Sequence, residues 1–330
     1  MAFPSAPCLR AEGSPAYDFL EIPTSAHAYA LGGSGIAIID DDVTLADQNP
    51  ALIGPELDMQ LGFNYMHYMA GGNFAGFRYG MGAGERGAWA VGMRYLGYGA
   101  IKRYDADGFN AAGDTFSPTD IVIEGTYAHD FTDRLRGGIN LKMAYSNYDA
   151  RTAVALAADL GISYYDEEHD LSLAAVLKNA GGQLKRFNDH YDSLPIDLQL
   201  GYMQGLGNSP FSLAITATNL TRWNLPYYKH DSNSDEVSEL TSNFGSNLFR
   251  HLIFGLQYSP SEKFYAALAY NYKTATDMSV YSRNILSGFS LGLGIRVKSF
   301  GVSVAYAMPH KSASTLLLNL YCSLGELIYR

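Results

Sequence analysis

Three consecutive aspartates, Asp40, Asp41 and Asp42, are the residues of this 330-residue chain whose spacing first suggests chemistry. Carboxylates held that close could bind a cation. Such a run more often forms a solvated turn and a helix N-terminus, where negative charge is favoured. Nothing else converges on them. The eight histidines (His27, His67, His129, His169, His190, His230, His251 and His310) are scattered without ligand spacing. There is no G-x-S-x-G elbow, no H-E-x-x-H and no phosphate-binding loop. No catalytic residue, cofactor or metal is therefore assigned. A second cluster is aromatic and basic: Arg222, Trp223, Tyr227, Tyr228 and Lys229. Its rings suit a membrane-interface belt or a protein-docking patch, and its two cations suit lipopolysaccharide phosphates.

The elements that must position these groups follow from periodicity. The acidic run lies in a stretch that opens Leu31-Gly32-Gly33-Ser34-Gly35 and closes Asn49-Pro50-Ala51. After Leu57 the pattern turns to period two and keeps it to the end. Fourteen strands are expected, near residues 58–69, 73–82, 86–101, 119–130, 134–148, 152–165, 169–179, 194–205, 209–222, 248–259, 262–273, 285–297, 300–309 and 313–324. Ile139, Leu141 and Met143 oppose Asn140 and Lys142, and Leu291, Leu293 and Ile295 oppose Ser290 and Arg296. Each strand thus has one greasy and one polar side.

Two features favour a membrane barrel over a soluble sandwich. The strands are long, whereas sandwich strands usually run about 5–6 residues. The connections also alternate in length. Tight ones follow even strands, and the long ones (102–118, 180–193, 223–247 and 274–284) all follow odd strands. Short periplasmic turns and long outer loops are the rule for outer-membrane barrels. The expected architecture is an all-β, 14-stranded antiparallel transmembrane barrel. Residues 1–30 are a periplasmic lead-in with a signal remnant to about residue 11, residues 31–57 a plug, and residues 58–330 the barrel wall.

Composition agrees with this and excludes other classes. The net charge is −10, with no lysine or arginine cluster, which argues against nucleic-acid binding. The 25 tyrosines suit membrane–water interfaces. No apolar run is long enough for a membrane-crossing helix, so any crossing is made by strands. An outer-membrane protein is expected to carry a secretory leader, and Met1 to Ala11 lacks the apolar core of one. Cys8 and Cys322 stand at opposite ends and make no metal spacing.

The stretch containing Gly32, Gly33 and Gly35, then Asp40 to Asp42, then Asn49, Pro50 and Ala51 before the first strand resembles the N-terminal hatch of FadL-type outer-membrane barrels. Fourteen strands is also that family's number. Within the group, Phe19 to Ile53 resembles the PorQ-type barrels of type IX secretion in Bacteroidota. That resemblance implies a non-enzymatic surface anchor. It would hold a PorZ-like partner beside PorU and PorV in the attachment complex that links cargo to anionic lipopolysaccharide. The wider resemblance implies the alternative, a transporter of hydrophobic small molecules or a PorV-like shuttle barrel. Bacterial barrels commonly end on an aromatic residue; here Tyr329 precedes the last residue, Arg330.

Overall fold

The structure, a computed structural model, describes residues 17–57, 59–68, 71–103, 113–149, 151–187, 191–225, 227–230, 237–240, 243–277, 286–310 and 313–328. Fourteen antiparallel strands close into one barrel. They are β1 (Gln60–His67), β2 (Asn73–Gly82), β3 (Gly87–Gly97), β4 (Thr119–Thr132), β5 (Leu135–Tyr148), β6 (Arg151–Asp166), β7 (Leu171–Lys185), β8 (Asp197–Gly205), β9 (Phe211–Ala217), β10 (Leu252–Ser261), β11 (Phe264–Asn271), β12 (Phe289–Val297), β13 (Phe300–His310) and β14 (Ala313–Ser323). Each pairs with its sequence neighbours. Pairing of β1 with β14, from Gln60 opposite Ser323 to His67 opposite Leu316, closes the ring and removes every free edge.

The side-chain alternation sorts the two faces of the wall. Phe63 and Tyr65 of β1, Leu141 and Met143 of β5, Leu291 and Leu293 of β12, and Leu316, Leu318 and Leu320 of β14 are exposed on the outside. Their sequence neighbours Asn64, Asn140, Lys142, Gly292 and Asn319 point to the lumen. An apolar band of this extent is not sustained in water and matches a bilayer core. The chain is a transmembrane β-barrel. Connections after even strands are tight, such as 133–134, 262–263 and 298–299, whereas the long ones, 98–118, 186–196, 218–251 and 272–288, follow odd strands and so leave the wall at the opposite rim. The long-loop rim also carries a small ribbon that pairs Tyr227–His230 with Val237–Leu240.

All fourteen expected strands are present, with differences at their ends. The ninth was expected to run to 222 and the tenth to begin at 248. Instead Phe244–His251 forms a helix, α2, before β10. Asn247, Arg250 and His251 are its buried residues, at i, i+3 and i+4, so a helical period overrides the alternating one there. The seventh strand continues past 179 to Lys185. It crosses a bulge that sets both Lys178 and Asn179 against Asp159, and Asn179 takes a positive φ of 56°.

The largest departure concerns residues 17–30, expected as periplasmic lead-in. Tyr17, Leu20, Ala26, Ala28 and Ala30 are fully buried inside the barrel. The segment that fills the lumen therefore includes 17–30 as well as 31–57. It holds a 3-10 turn at Asp18–Glu21, the short helix α1 (Ala26–Ala30) and 3-10 turns at Val43–Asp47 and Pro50–Leu52. Helices too short to be stable alone persist here because the wall surrounds them.

Candidate functional site

The inner segment is fixed to the wall first by shape. Several wall glycines face the lumen, and each leaves room for one part of the segment. A Cβ on Gly138 of β5 would come within 2.5 Å of the Pro50 carbonyl. One on Gly161 of β6 would strike Asn49. Gly62 of β1 makes room for Thr44 and Val43, Gly201 of β8 for Ile36 and Ala37, Gly255 of β10 for Leu31, and Gly292 of β12 for Ala30. Side-chain-free positions in a strand often mark such close approach.

The motif residues then take specific roles. Helix α1 ends as the Gly32 and Gly33 amides fold back to the Tyr29 and Ala28 carbonyls, with φ values of 91° and 92° that favour glycine. Gly35 lies against Ala28, where a Cβ would come 3.1 Å from the Ala28 Cα. Ser34 donates to Gln199 of β8 at 2.8 Å. In the Asn-Pro-Ala motif the Asn49 Oδ1 accepts from the Ala51 amide at 2.9 Å, capping a turn with Pro50 at its start. The Asn49 Nδ2 donates back to the Ile36 carbonyl at 3.0 Å.

The three aspartates are committed to three different ties. Asp40 faces the His27 Nδ1 at 2.7 Å, within the segment. The His27 Nε2 reaches Gln257 of β10, and its ring stacks on Tyr265 with centroids 3.8 Å apart. Asp41 pairs with Arg296 of β12. Asp42 caps the next turn by accepting from the Thr44 amide at 2.9 Å, and it also accepts from Asn319 of β14 at 2.6 Å. The run is a structural clamp on three partners.

A residue outside the expected set makes a further, fully buried tie to the wall. Asp47 is buried and meets the Arg94 Nη1 of β3 at 3.1 Å. Arg94 also donates to the Leu20 and Ile22 carbonyls at 3.4 and 3.3 Å, and it pairs with Glu124 of β4. Glu124 pairs in turn with Arg78 of β2. The chain of contacts continues through Thr126, Asn140 and Asp159 to Lys142, whose Nζ lies 2.6 Å from Asp159. Burial alone would raise the Asp47 carboxyl. Arg94 first, then Lys178, Lys142 and Arg78, outweigh that and hold it well below the usual carboxylate range. Arg78, Arg94 and Lys142 each stand between apolar outward neighbours in sequence, as Arg94 does between Met93 and Tyr95. That pattern is a legible sign of a lumen charge.

The segment divides the lumen. On the long-loop side lies a cavity of about 340 Å³, bordered by Asp18, Glu21, Tyr29, Met66, Tyr68 and Phe289. On the tight-turn side a vestibule of about 530 Å³ is bordered by His27, Asp40, Asp41, Tyr265 and Arg296. One further cluster, Asp166, Glu168 and His169 on the turn between β6 and β7, has its ligand atoms within 4.8 Å of one another. Its Asp166 is engaged by Arg134 at 3.4 Å and by His169 at 2.9 Å.

The aromatic-basic cluster is only partly described. The side chains of Tyr227, Tyr228 and Lys229 lie outside the described residues, so no grouping with Arg222 and Trp223 is established. Arg222 is exposed. Trp223 is 47% exposed, stacks on His251 with centroids 5.0 Å apart and leans on Phe244. The His251 Nε2 lies 3.0 Å from the Trp223 carbonyl, and Asn247 accepts from the Leu225 amide at 3.1 Å. This loop base is thereby pinned to α2.

The barrel superposes on solved structures of outer-membrane channels. The Ralstonia pickettii toluene transporter TbuX matches with a TM-score of 0.53 at 13% identity, over 92% of this chain and 98% of its own. The monoaromatic hydrocarbon channel CymD gives 0.56 at 14% identity, over 91% and 96%. The Pseudomonas putida toluene transporter TodX gives 0.52 at 10%, over 89% and 95%. The fold is FadL-like. At these identities the likeness extends to the fold alone. No protein-family model matches the sequence, and no curated protein is similar to it.

Proposed function

We propose that the chain is an outer-membrane transport barrel for small apolar or amphiphilic molecules, with residues 17–57 as its hatch. The observation that carries this reading is the division of the bore. A cavity of about 340 Å³ with aromatic walls sits on the long-loop side of the segment, which separates it from a polar vestibule on the other side. Pockets of roughly that size hold drug-sized or smaller ligands. TbuX, TodX and CymD, whose fold the chain shares, are described as toluene or monoaromatic hydrocarbon channels. The long loops face outward in this reading, as barrels of this kind place them. Transport requires no reacting side chain, consistent with a non-enzymatic role. The test is uptake of radiolabelled toluene by cells carrying the barrel against cells lacking it. Faster uptake supports the reading; equal uptake, with the barrel present in the outer membrane, counts against it.

A second reading is favoured by a different observation. Phe244, Leu248 and Phe249 of α2 and neighbouring Trp223 leave apolar surface exposed at the long-loop rim. Such a patch fits a surface-protein partner, as the resemblance to PorQ-type anchors implies, with PorZ-like, PorU-like or PorV-like proteins and lipopolysaccharide as its setting. The measurement is a pull-down from detergent-solubilised membranes. Loss of a partner on replacing Trp223, Phe244 and Phe249 with Ser supports the anchor, and unchanged recovery removes this patch from it.

A further inference from the structure

The long-loop-side cavity has a chemical asymmetry. A 3-10 turn places residues i and i+3 one above the other. In Asp18–Glu21 this stacks the two carboxylates on one face, while Phe19 and Leu20 between them are buried. That face opens onto the cavity. Its other walls include the rings of Tyr29, Tyr68 and Phe289, the thioether of Met66 and the uncharged polar groups of Asn271, Thr274 and Thr315, and among the described residues no lysine or arginine borders it. Lys273, Arg222 and Lys178 act on the two carboxylates only through space, and Lys273 is paired with Asp277 at 3.0 Å. Among the described residues neither Asp18 nor Glu21 has an ion-pair partner. Loss of bulk water, then the proximity of Asp18, pushes the Glu21 carboxyl up to about 7.

From this juxtaposition we propose that the cavity selects organic cations, an ammonium group joined to an apolar body of about the size of one aromatic ring. The inference rests on the transport reading and narrows it. An ammonium would supply the positive charge that Asp18 and Glu21 lack, while the tyrosine and phenylalanine faces hold the apolar body and add cation–π attraction. A carboxylate-bearing ligand of the same size meets repulsion, and a neutral ring leaves both carboxylates uncompensated.

The experiment compares phenethylammonium, toluene and phenylacetate at pH 8 and low salt. Binding to the full chain in nanodiscs is measured by saturation-transfer NMR and calorimetry. Phenethylammonium is expected to bind about fivefold more tightly than toluene, with phenylacetate weakest. The Asp18→Asn/Glu21→Gln variant should lose that preference, its phenethylammonium and toluene affinities becoming equal. Toluene bound as tightly as the ammonium by the unsubstituted chain, or a preference that survives the double substitution, overturns the cation selectivity and leaves the transport reading standing. Failure of all three probes to bind overturns both. Circular dichroism and heat-modifiable gel migration confirm that the variant is folded.

Discussion

Arg94 and Asp47 meet at 3.1 Å where wall and inner segment touch, with both side chains almost wholly buried. Removing one partner from such a pair strands the other in a low-dielectric site, at a cost of about 3–5 kcal/mol. Asp47→Asn leaves Arg94 its pair with Glu124, so it should loosen residues 17–57 by less than that, about 1–3 kcal/mol, without opening the wall. Arg94→Met should cost more, because it also releases Glu124 and two backbone carbonyls. Hydrogen exchange resolved by segment checks this: protection should fall in 17–57 and persist in β5, β6 and β7. Equal loss of protection across the wall would show that the pair stabilises the whole barrel instead.

The same pair sets an expectation for pH. The Asp47 carboxyl is held below its ordinary value, so its folded-state pKa lies below the unfolded one of about 3.9. A depressed carboxyl contributes stability above the unfolded pKa and loses it as pH falls through the folded value. Exchange protection of the segment, corrected for intrinsic rates, should rise somewhat as pH falls from 8 toward 5, because burial raises the Glu21 carboxyl to about 7 and the Asp42 carboxyl to about 6 and the folded state then binds protons more tightly than the unfolded one. It should decline only below about pH 4. In Asp47→Asn this acid-side decline should shrink.

Glycines on the lumen face offer a steric test. A methyl group at Gly138 would press on the Pro50 carbonyl, and one at Gly161 on Asn49. Overpacking of this kind costs about 1–3 kcal/mol. The double variant Gly138→Ala/Gly161→Ala should unseat the Asn-Pro-Ala turn and raise single-channel conductance in planar bilayers. Gly125 of β4 provides the control, since a Cβ there meets nothing within 4 Å. Gly125→Ala should leave conductance unchanged.

Trp223 is expected to hold the base of its loop to α2. Trp223→Ala removes its stacking on His251 and its contact with Phe244, worth about 1 kcal/mol beyond the area lost. Proteolytic nicking between 223 and 243 should accelerate while the barrel core stays resistant. A nicking rate equal to wild type would mean that the backbone bonds from Asn247 and His251 suffice.

The wall was legible because its strands alternate, with grease outward and mostly polar or small residues inward apart from positions such as Met66, Phe74 and Leu317, and period two survives in the residues themselves. Leu291, Leu293 and Ile295 announce their face without any knowledge of their partners. The ends were less legible. The residues Arg250-His251-Leu252-Ile253 can join either a helix or a strand, and burial of Asn247 with Arg250 and His251 decided for α2. Residues 17–30 have no periodicity because they pack on all sides rather than on one. The glycine, aspartate and Asn-Pro-Ala residues of 31–57 stood out as composition, but the contacts they make did not. That Asp40, Asp41 and Asp42 answer to His27, Arg296 and Asn319 depends on a fold that brings together residues up to 277 positions apart. Asp47 escaped notice since nothing local sets it apart; its partner on β3 does.

That last separation bears on how the molecule is made. Asp42 is synthesised early and its partner Asn319 nearly last, and the strand that carries Asn319 is the one that zips onto β1. The latch therefore comes into existence together with the final seam of the cylinder. Of the three wall ties described for this stretch, those to β10 and β12 lie on earlier strands, and only the one to β14 waits for the closing strand. Seating the inner segment and sealing the cylinder therefore meet in one strand, β14, which serves both.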